Sequence, residues 1–520
     1  MPKSRASFML ALLATAVGAP ALAQEKKVDP PKLGSHKEAM VAEADAAWVK
    51  PPVEEQAVVT KGSVSVRGQA IAYTATAGTL TLRDDEGKPI ASMFYTAYTK
   101  DGGGRRPVSF LFNGGPGSAS LWLHMGSFGP VRVPTTSPDY VAPGTGALAP
   151  NPHSLLDKTD LVFIDAIGAG WSRPLGDKTG KDFWGVDQDA DAFARAIMRY
   201  VAKNNRWGSP KILFGESYGT LRAGAVAALL EQRGMNLNGV VLLSTILNYG
   251  VRQPGYDQNY MVLFPGYAAT AWYHQRLPNR PADLKAFLAE VRQWVSGPYA
   301  AALAKGSALP VAEAQAVARQ MAAYTGLSEA FLLRANLRVD LPHFQTELLR
   351  DRRVATGRLD SRYLLSVADA NADAPDDDPA STAITGAYVA AFMDYATRTL
   401  GYKTDLPYKI SARDSSFDWD WRHRTPGARG AQLTPNTAVD LAYAMRTNPY
   451  LKLLFLNGYY DMATPFYGAE FDANHMLLSE AQQKNVSFTY YESGHMIYLN
   501  PDALAKLHDD LAAWYDQAAR

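Results

Sequence analysis

Five residues, Gly215-Glu216-Ser217-Tyr218-Gly219, stand between an apolar run, Lys211 to Phe214, and a helical run, Thr220 to Glu231. A strand that turns this sharply into a helix strains the backbone of its central residue, so small residues must flank it; Gly215, Gly219 and Ala223 meet that demand. The turn lifts the serine hydroxyl above the edge of a sheet, which makes Ser217 the candidate nucleophile; the competing reading is a turn serine that only caps the helix. Such a turn asks the flanking sequence for a sheet covered on both faces.

The flanking sequence supplies one. Val108 to Phe112, Leu161 to Ile164, Lys211 to Phe214 and Val240 to Leu243 are continuous apolar runs, each followed by a glycine-rich turn and a helical stretch. Val186 to Tyr200 places Phe193, Ile197 and Tyr200 near one face, as a crossover helix needs. Ahead of these, alternating stretches such as Ser63 to Arg67 and Met93 to Tyr98 predict an antiparallel meander over 57–100. Between about 250 and 450 the strand signal gives way to helices, for instance Asp283 to Val295 and Ala312 to Tyr324. Strands return at Leu451 to Leu456 and Val486 to Tyr491, and a helix from Pro501 to Ala518 closes the chain.

Serine is a weak nucleophile at neutral pH and needs a base, which in turn needs an orienting acid. His495, in Glu492-Ser493-Gly494-His495-Met496, follows the last apolar strand, whereas His36, His423 and His508 have ordinary surroundings. Asp461 directly follows the penultimate strand. Its competitor, Asp472, lies among the helical residues Gly468 to Leu478 and reads as part of a solvated face. The order Ser217, Asp461, His495 is that of the α/β-hydrolase fold. The expected architecture is therefore α/β: a mixed, mostly parallel central sheet with helices on both faces and an inserted, mainly helical cap. Its expected boundaries are 57–250 and 450–520 for the sheet domain and 251–449 for the cap.

The charges nearly cancel, Lys+Arg 52 against Asp+Glu 51, and no basic stripe is present, so a nucleic-acid partner is not expected. With no cysteine, disulfides, thiolate nucleophiles and cysteine-held metals are excluded. The acidic run Asp369 to Asp378 lacks the glycine and glutamate that a calcium loop of the EF-hand type requires, and reads as a solvated loop; neither a metal nor a cofactor is expected. Lys3 and Arg5, the apolar run Phe8 to Val17 and Ala21-Leu22-Ala23 read as a secretory signal, 1–23, cleaved before Gln24. A Lys-, Pro- and Glu-rich arm, 24–56, follows. The expectation is an exported protein, periplasmic or extracellular, with no membrane association once the signal is cleaved.

Asn113-Gly114-Gly115-Pro116-Gly117-Ser118, the elbow around Ser217, the Asp461 turn and Gly494-His495-Met496 together resemble the serine carboxypeptidase family, peptidase family S10. Phe128-Gly129-Pro130 and the glycine-rich stretch Asp165 to Trp171 add to the resemblance, which runs from about Pro107 to the C-terminus outside much of the cap. It implies that Gly115 and Tyr218 give backbone N–H groups to the oxyanion. It further implies that Asn113 and Glu216 bind the terminal carboxylate of a peptide substrate. Glu216 can do so only when protonated, because two carboxylates cannot share a hydrogen bond without a proton. The chain departs from the family at Ser127, where eukaryotic relatives place a second glutamate, and at Leu111, where they often have tryptophan. The resemblance implies a serine carboxypeptidase, with peptide C-termini as substrate. Two other readings are an esterase or acyltransferase using the same triad, and a non-catalytic secreted binding protein. In the carboxypeptidase reading Phe417-Asp418-Trp419-Asp420-Trp421 either lines a specificity pocket or is ordinary packing.

Overall fold

A computed structural model of the chain describes residues 50–142, 147–253, 255–414 and 416–519. The expected leader and most of the arm lie outside them. The last residues of the arm run along the sheet domain, where Glu55 binds Arg199 at 2.8 Å and Lys203 at 2.7 Å.

Strands β1 (Ala57–Val66), β2 (Gln69–Arg83) and β3 (Pro89–Lys100) form the antiparallel meander. They continue into β4 (Val108–Phe112) and the short pair β5 (Val131–Arg132) and β6 (Ala149–Pro150). After these come β7 (Asp160–Ile164), β8 (Arg173–Pro174), β9 (Lys211–Glu216) and β10 (Gly239–Leu243). A small hairpin, β11 (Val354–Thr356) and β12 (Leu364–Ser366), interrupts the helical insertion, and β13 (Lys452–Gly458) and β14 (Val486–Tyr491) return to the sheet.

The main sheet runs β1-β2-β3-β7-β4-β9-β10-β13-β14, with β8 on β3, and every pair from β7 to β14 is parallel. All residues of β4, β7, β9 and β10 are buried, as strands covered on both faces must be. One face packs on the helices Val186–Lys203 and Tyr218–Gln232, the other on the terminal helix Pro501–Ala518. This is the α/β-hydrolase arrangement.

The insertion does not pack as one unit. Helices Gln258–Tyr273, Leu284–Trp294 and Val311–Thr325 build a core that reaches Tyr459, Tyr460 and Met462 on the turn after β13. Helix Pro379–Asp394 instead joins the core of the sheet domain, beside Leu123, Phe128 and Tyr498. Helix Ala438–Thr447, although within 251–449, lies under the sheet against the helix that follows Ser217. Among the described residues no helix is long and apolar enough to cross a membrane.

Candidate active site

Parallel strands end together, so the turns after β9, β10, β13 and β14 gather at one rim. Leu243 at the end of β10 pairs with Glu216 on one side and Leu456 on the other. The Ser217 amide donates to the Leu243 carbonyl at 3.0 Å. Ser217 has φ 61° and ψ −130°, a region that L-residues avoid, and its side chain does not cap the following helix. The strained elbow is therefore present, and the capping reading is not.

Asp461, wholly buried, accepts from the amides of Ala463 and Thr464, both at 2.9 Å, and its other oxygen accepts from His495 Nδ1 at 2.8 Å. Thr464 also gives its hydroxyl to that second oxygen and lies 3.0 Å from His495 Nδ1, a contact the sequence reading missed. Three neighbours fix the His495 loop. Its amide donates to the Leu359 carbonyl at 2.7 Å, its carbonyl accepts from Ser244 Oγ at 2.5 Å, and the neighbouring Glu492 carbonyl accepts from Arg362 at 3.2 Å. Burial works against a charged His495, but the Asp461 carboxylate and its hydrogen bond, with Glu216 nearby, hold the imidazole above its ordinary pKa of 6.5. Asp461 and His495 are bonded to each other, whereas among the described residues no hydrogen bond joins the Ser217 hydroxyl to His495. Such bonds often tighten only with substrate present.

The loop from Asn113 to Ser118 comes off β4 beside the elbow. Gly115 has φ 107°, and a side chain on Gly114 would run into the Tyr218 amide, so the two candidate oxyanion donors lie on touching segments. Arg413 clamps the far side of the loop, donating to the Gly115 carbonyl at 2.7 Å and the Pro116 carbonyl at 3.1 Å. From below, the wholly buried side chain of Arg222 donates to the Asn113 carbonyl at 2.6 Å while pairing with Asp189 at 2.6 Å.

Asn113 Oδ1 accepts from the Leu123 amide at 2.9 Å, which turns its NH₂ group toward Glu216. Glu216 is 2% exposed. Burial pushes its pKa up to about 7, against the charge of His495 and hydrogen bonds from Tyr498 and Asn113. Tyr498, which sequence reasoning did not single out, donates to the two Glu216 oxygens at 3.0 and 3.3 Å. Ser127 does not stand in for the missing second glutamate, since its hydroxyl donates to the Leu123 carbonyl at 2.5 Å.

Two expectations from sequence are corrected. Asp472 is not on a solvated face: it is buried and accepts from the amides of Leu247 and Asn248, both at 3.2 Å, and desolvation raises its pKa to about 7. It braces the loop after β10 and leaves the imidazole to Asp461. His423 does not have ordinary surroundings either. It is buried between Asp187 at 2.6 Å and Asp440 at 3.0 Å, and although burial opposes its charge, the two carboxylates hold its pKa at about 9. This bridge anchors the loop carrying Phe417, Trp419 and Trp421. Trp419 meets the Tyr218 ring edge-on at 5.3 Å and Trp421 lies 4.7 Å from Tyr249, so the aromatic cluster packs directly against the residue that follows Ser217.

A histidine whose pKa is raised on folding adds stability that is complete below the unfolded value near 6.5 and disappears as pH rises through about 9. We expect melting temperature to decline across that window, by the equivalent of up to about 3 kcal/mol. His423→Gln should lower stability at pH 6 and remove this share of the pH slope; an unchanged slope in thermal melts would reject the bridge's role.

Residues 68–283 match the sequence model of a family described as serine carboxypeptidase. No curated protein matches the chain. Among solved structures it is similar to KEX1(Δ)P, a prohormone-processing carboxypeptidase from Saccharomyces cerevisiae. The identity is 14%, the match covers 85% of this chain and 91% of that chain, and the TM-score is 0.49. It is also similar to proline iminopeptidase from Mycobacterium smegmatis, at 14% identity over 85% of this chain and 98% of that one, with a TM-score of 0.35. The Asn113 loop, the glycine-rich stretch from Asp165 and the Ser217 elbow with its helix all fall inside the span 68–283 that is similar to the serine carboxypeptidase family, whereas Asp461 and His495 lie beyond it.

Proposed function

We propose that the protein removes residues from peptide C-termini by acyl transfer through Ser217. Ser217 Oγ attacks the last peptide carbonyl and His495 Nε2 takes its proton. Asp461 holds the imidazole by Nδ1 and balances the positive charge that forms. The Gly115 and Tyr218 amides receive the oxyanion; donors placed where charge develops are worth about 3 to 4 kcal/mol each. Collapse of the intermediate expels the terminal amino acid, which takes the proton from His495. Water, deprotonated by the same histidine, then frees the new C-terminus and restores Ser217. The observation that carries this reading is the buried Asp461–His495 bond at the rim that holds the strained Ser217. Mass spectrometry of a peptide library incubated at several pH values tests it: stepwise loss of C-terminal residues is expected, and internal or N-terminal cuts would refute it.

Glu216 gives this reading a pH signature. Protonated, it can donate to the substrate's terminal carboxylate; ionised, it repels it, so KM for free-acid peptides should climb as pH rises through about 7. The proton on Glu216 also matters to the base, because the ionised carboxylate is one of the groups holding His495 charged. Glu216→Gln should hold KM level across pH 6 to 8 and move the acidic limb of kcat downward. A variant that keeps the wild-type rise in KM would dissociate Glu216 from carboxylate recognition.

A further inference from the structure

Resting on the carboxypeptidase reading, we propose that Tyr388, from the helical insertion, donates a hydrogen bond to the free carboxylate of the substrate's last residue, completing the set begun by Asn113 and Glu216.

Tyr388 lies on helix Pro379–Asp394, fully buried, and its hydroxyl has no hydrogen-bond partner. A buried hydroxyl left unpaired is costly, and that cost is removed if a ligand supplies its acceptor. Its place is fixed by Gly126: a side chain there would collide both with the Tyr498 ring and with the Tyr388 hydroxyl. The Tyr388 hydroxyl is thus a neighbour of the phenol already bonded to Glu216. The Trp122 ring, 5.8 Å from that of Tyr388, closes the side toward the Asn113 loop.

The chemistry suits an anion. Burial holds the Tyr388 and Tyr498 phenols well above their ordinary pKa, so both remain donors at any working pH. Asn113 offers its NH₂ because its oxygen is committed to Leu123. The guanidinium of Arg132, with its Nε buried and unpaired, adds positive potential near Tyr388. Ser127, spent on Leu123, contributes nothing to this wall. The donor set thus places phenol and amide groups, which stay donors across this pH range, beside Glu216, which donates only when protonated.

The test is Tyr388→Phe, which keeps the ring and removes only the unpaired oxygen, assayed by steady-state kinetics on an N-blocked dipeptide and on an N-blocked amino-acid ester that has no carboxylate. KM for the free acid should rise about 10-fold or more, with kcat within a factor of two and ester hydrolysis unchanged. Melting temperature should stay level or rise, since no protein hydrogen bond is lost. Equal changes for acid and ester, or none for either, would overturn the inference while leaving the carboxypeptidase reading standing. A wild type that hydrolyses the ester but releases no terminal residue from peptides would end both.

Discussion

Ser217→Ala is expected to abolish peptide hydrolysis, lowering kcat by about 10⁴-fold or more, and to abolish covalent labelling by a fluorophosphonate. The expectation follows from its place in both half-reactions: acylation forms the bond between Ser217 Oγ and the acyl carbon, and deacylation breaks it. Stability should move the other way. Ser217 holds φ 61° and ψ −130°, which costs a residue with a side chain about 1 to 3 kcal/mol. Ser217→Gly removes that strain and adds a backbone entropy penalty of about 0.5 to 1 kcal/mol, leaving a net gain of roughly 1 kcal/mol. Denaturant unfolding of the two variants beside wild type checks this. An alanine variant that still labels would place the nucleophile elsewhere, and the non-catalytic reading would gain if folded wild type failed to label at all.

Arg222→Met should be the most damaging change outside the catalytic groups. Arg222 is 1% exposed and engages Asp189 through two nitrogens, at 2.6 and 3.2 Å, while its third donates to the Asn113 carbonyl at 2.6 Å. It also lies 4.2 Å from the centre of the Phe193 ring. Methionine fills much of the volume but strands a buried carboxylate, which costs about 3 to 5 kcal/mol. Asp189→Leu in the same background should return most of that loss, since apolar replacement of both partners is often neutral. Activity should not return with it. The Asn113 carbonyl remains unpaired, and a loop displaced by about 1 Å can lower kcat by roughly 10²-fold. Urea titration and kcat on the single and double variants separate the two effects; a single variant within 1 kcal/mol of wild type would show that the pair is dispensable.

What the sequence made legible was local. Apolar runs such as Val108 to Phe112 and Val240 to Leu243 coincide with strands because burial on both faces leaves no polar alternation to misread. Asp461 and His495 stood out because each sits one turn beyond a strand end, where side chains from distant parts of the chain converge. What stayed hidden depended on partners far away in sequence. Tyr498 is an aromatic among Ile497 and Leu499 and reads as packing; only its place three residues after His495 hinted that it shares the site. Thr464 had the same faint signal, three residues after Asp461. Arg222 could have been noticed as a cation in an otherwise apolar helical run, but nothing local names Asp189 as its counterion. For Asp472 the helical setting suggested a solvated face and for His423 the flanking Arg422 and Arg424 suggested ordinary surroundings; long-range burial decided otherwise.

The stretch 357–363 of the insertion bonds through its backbone to the turns that carry Asp461 and His495: Leu359 to His495, Arg358 to Met462, and Ser361 to Tyr460. Asp378 in turn holds the amides of Arg358 and Leu359, at 2.7 and 2.8 Å. The insertion therefore brackets the site, and exchanging it for a foreign one would displace Asp461 and His495 unless this seven-residue strut were carried across intact.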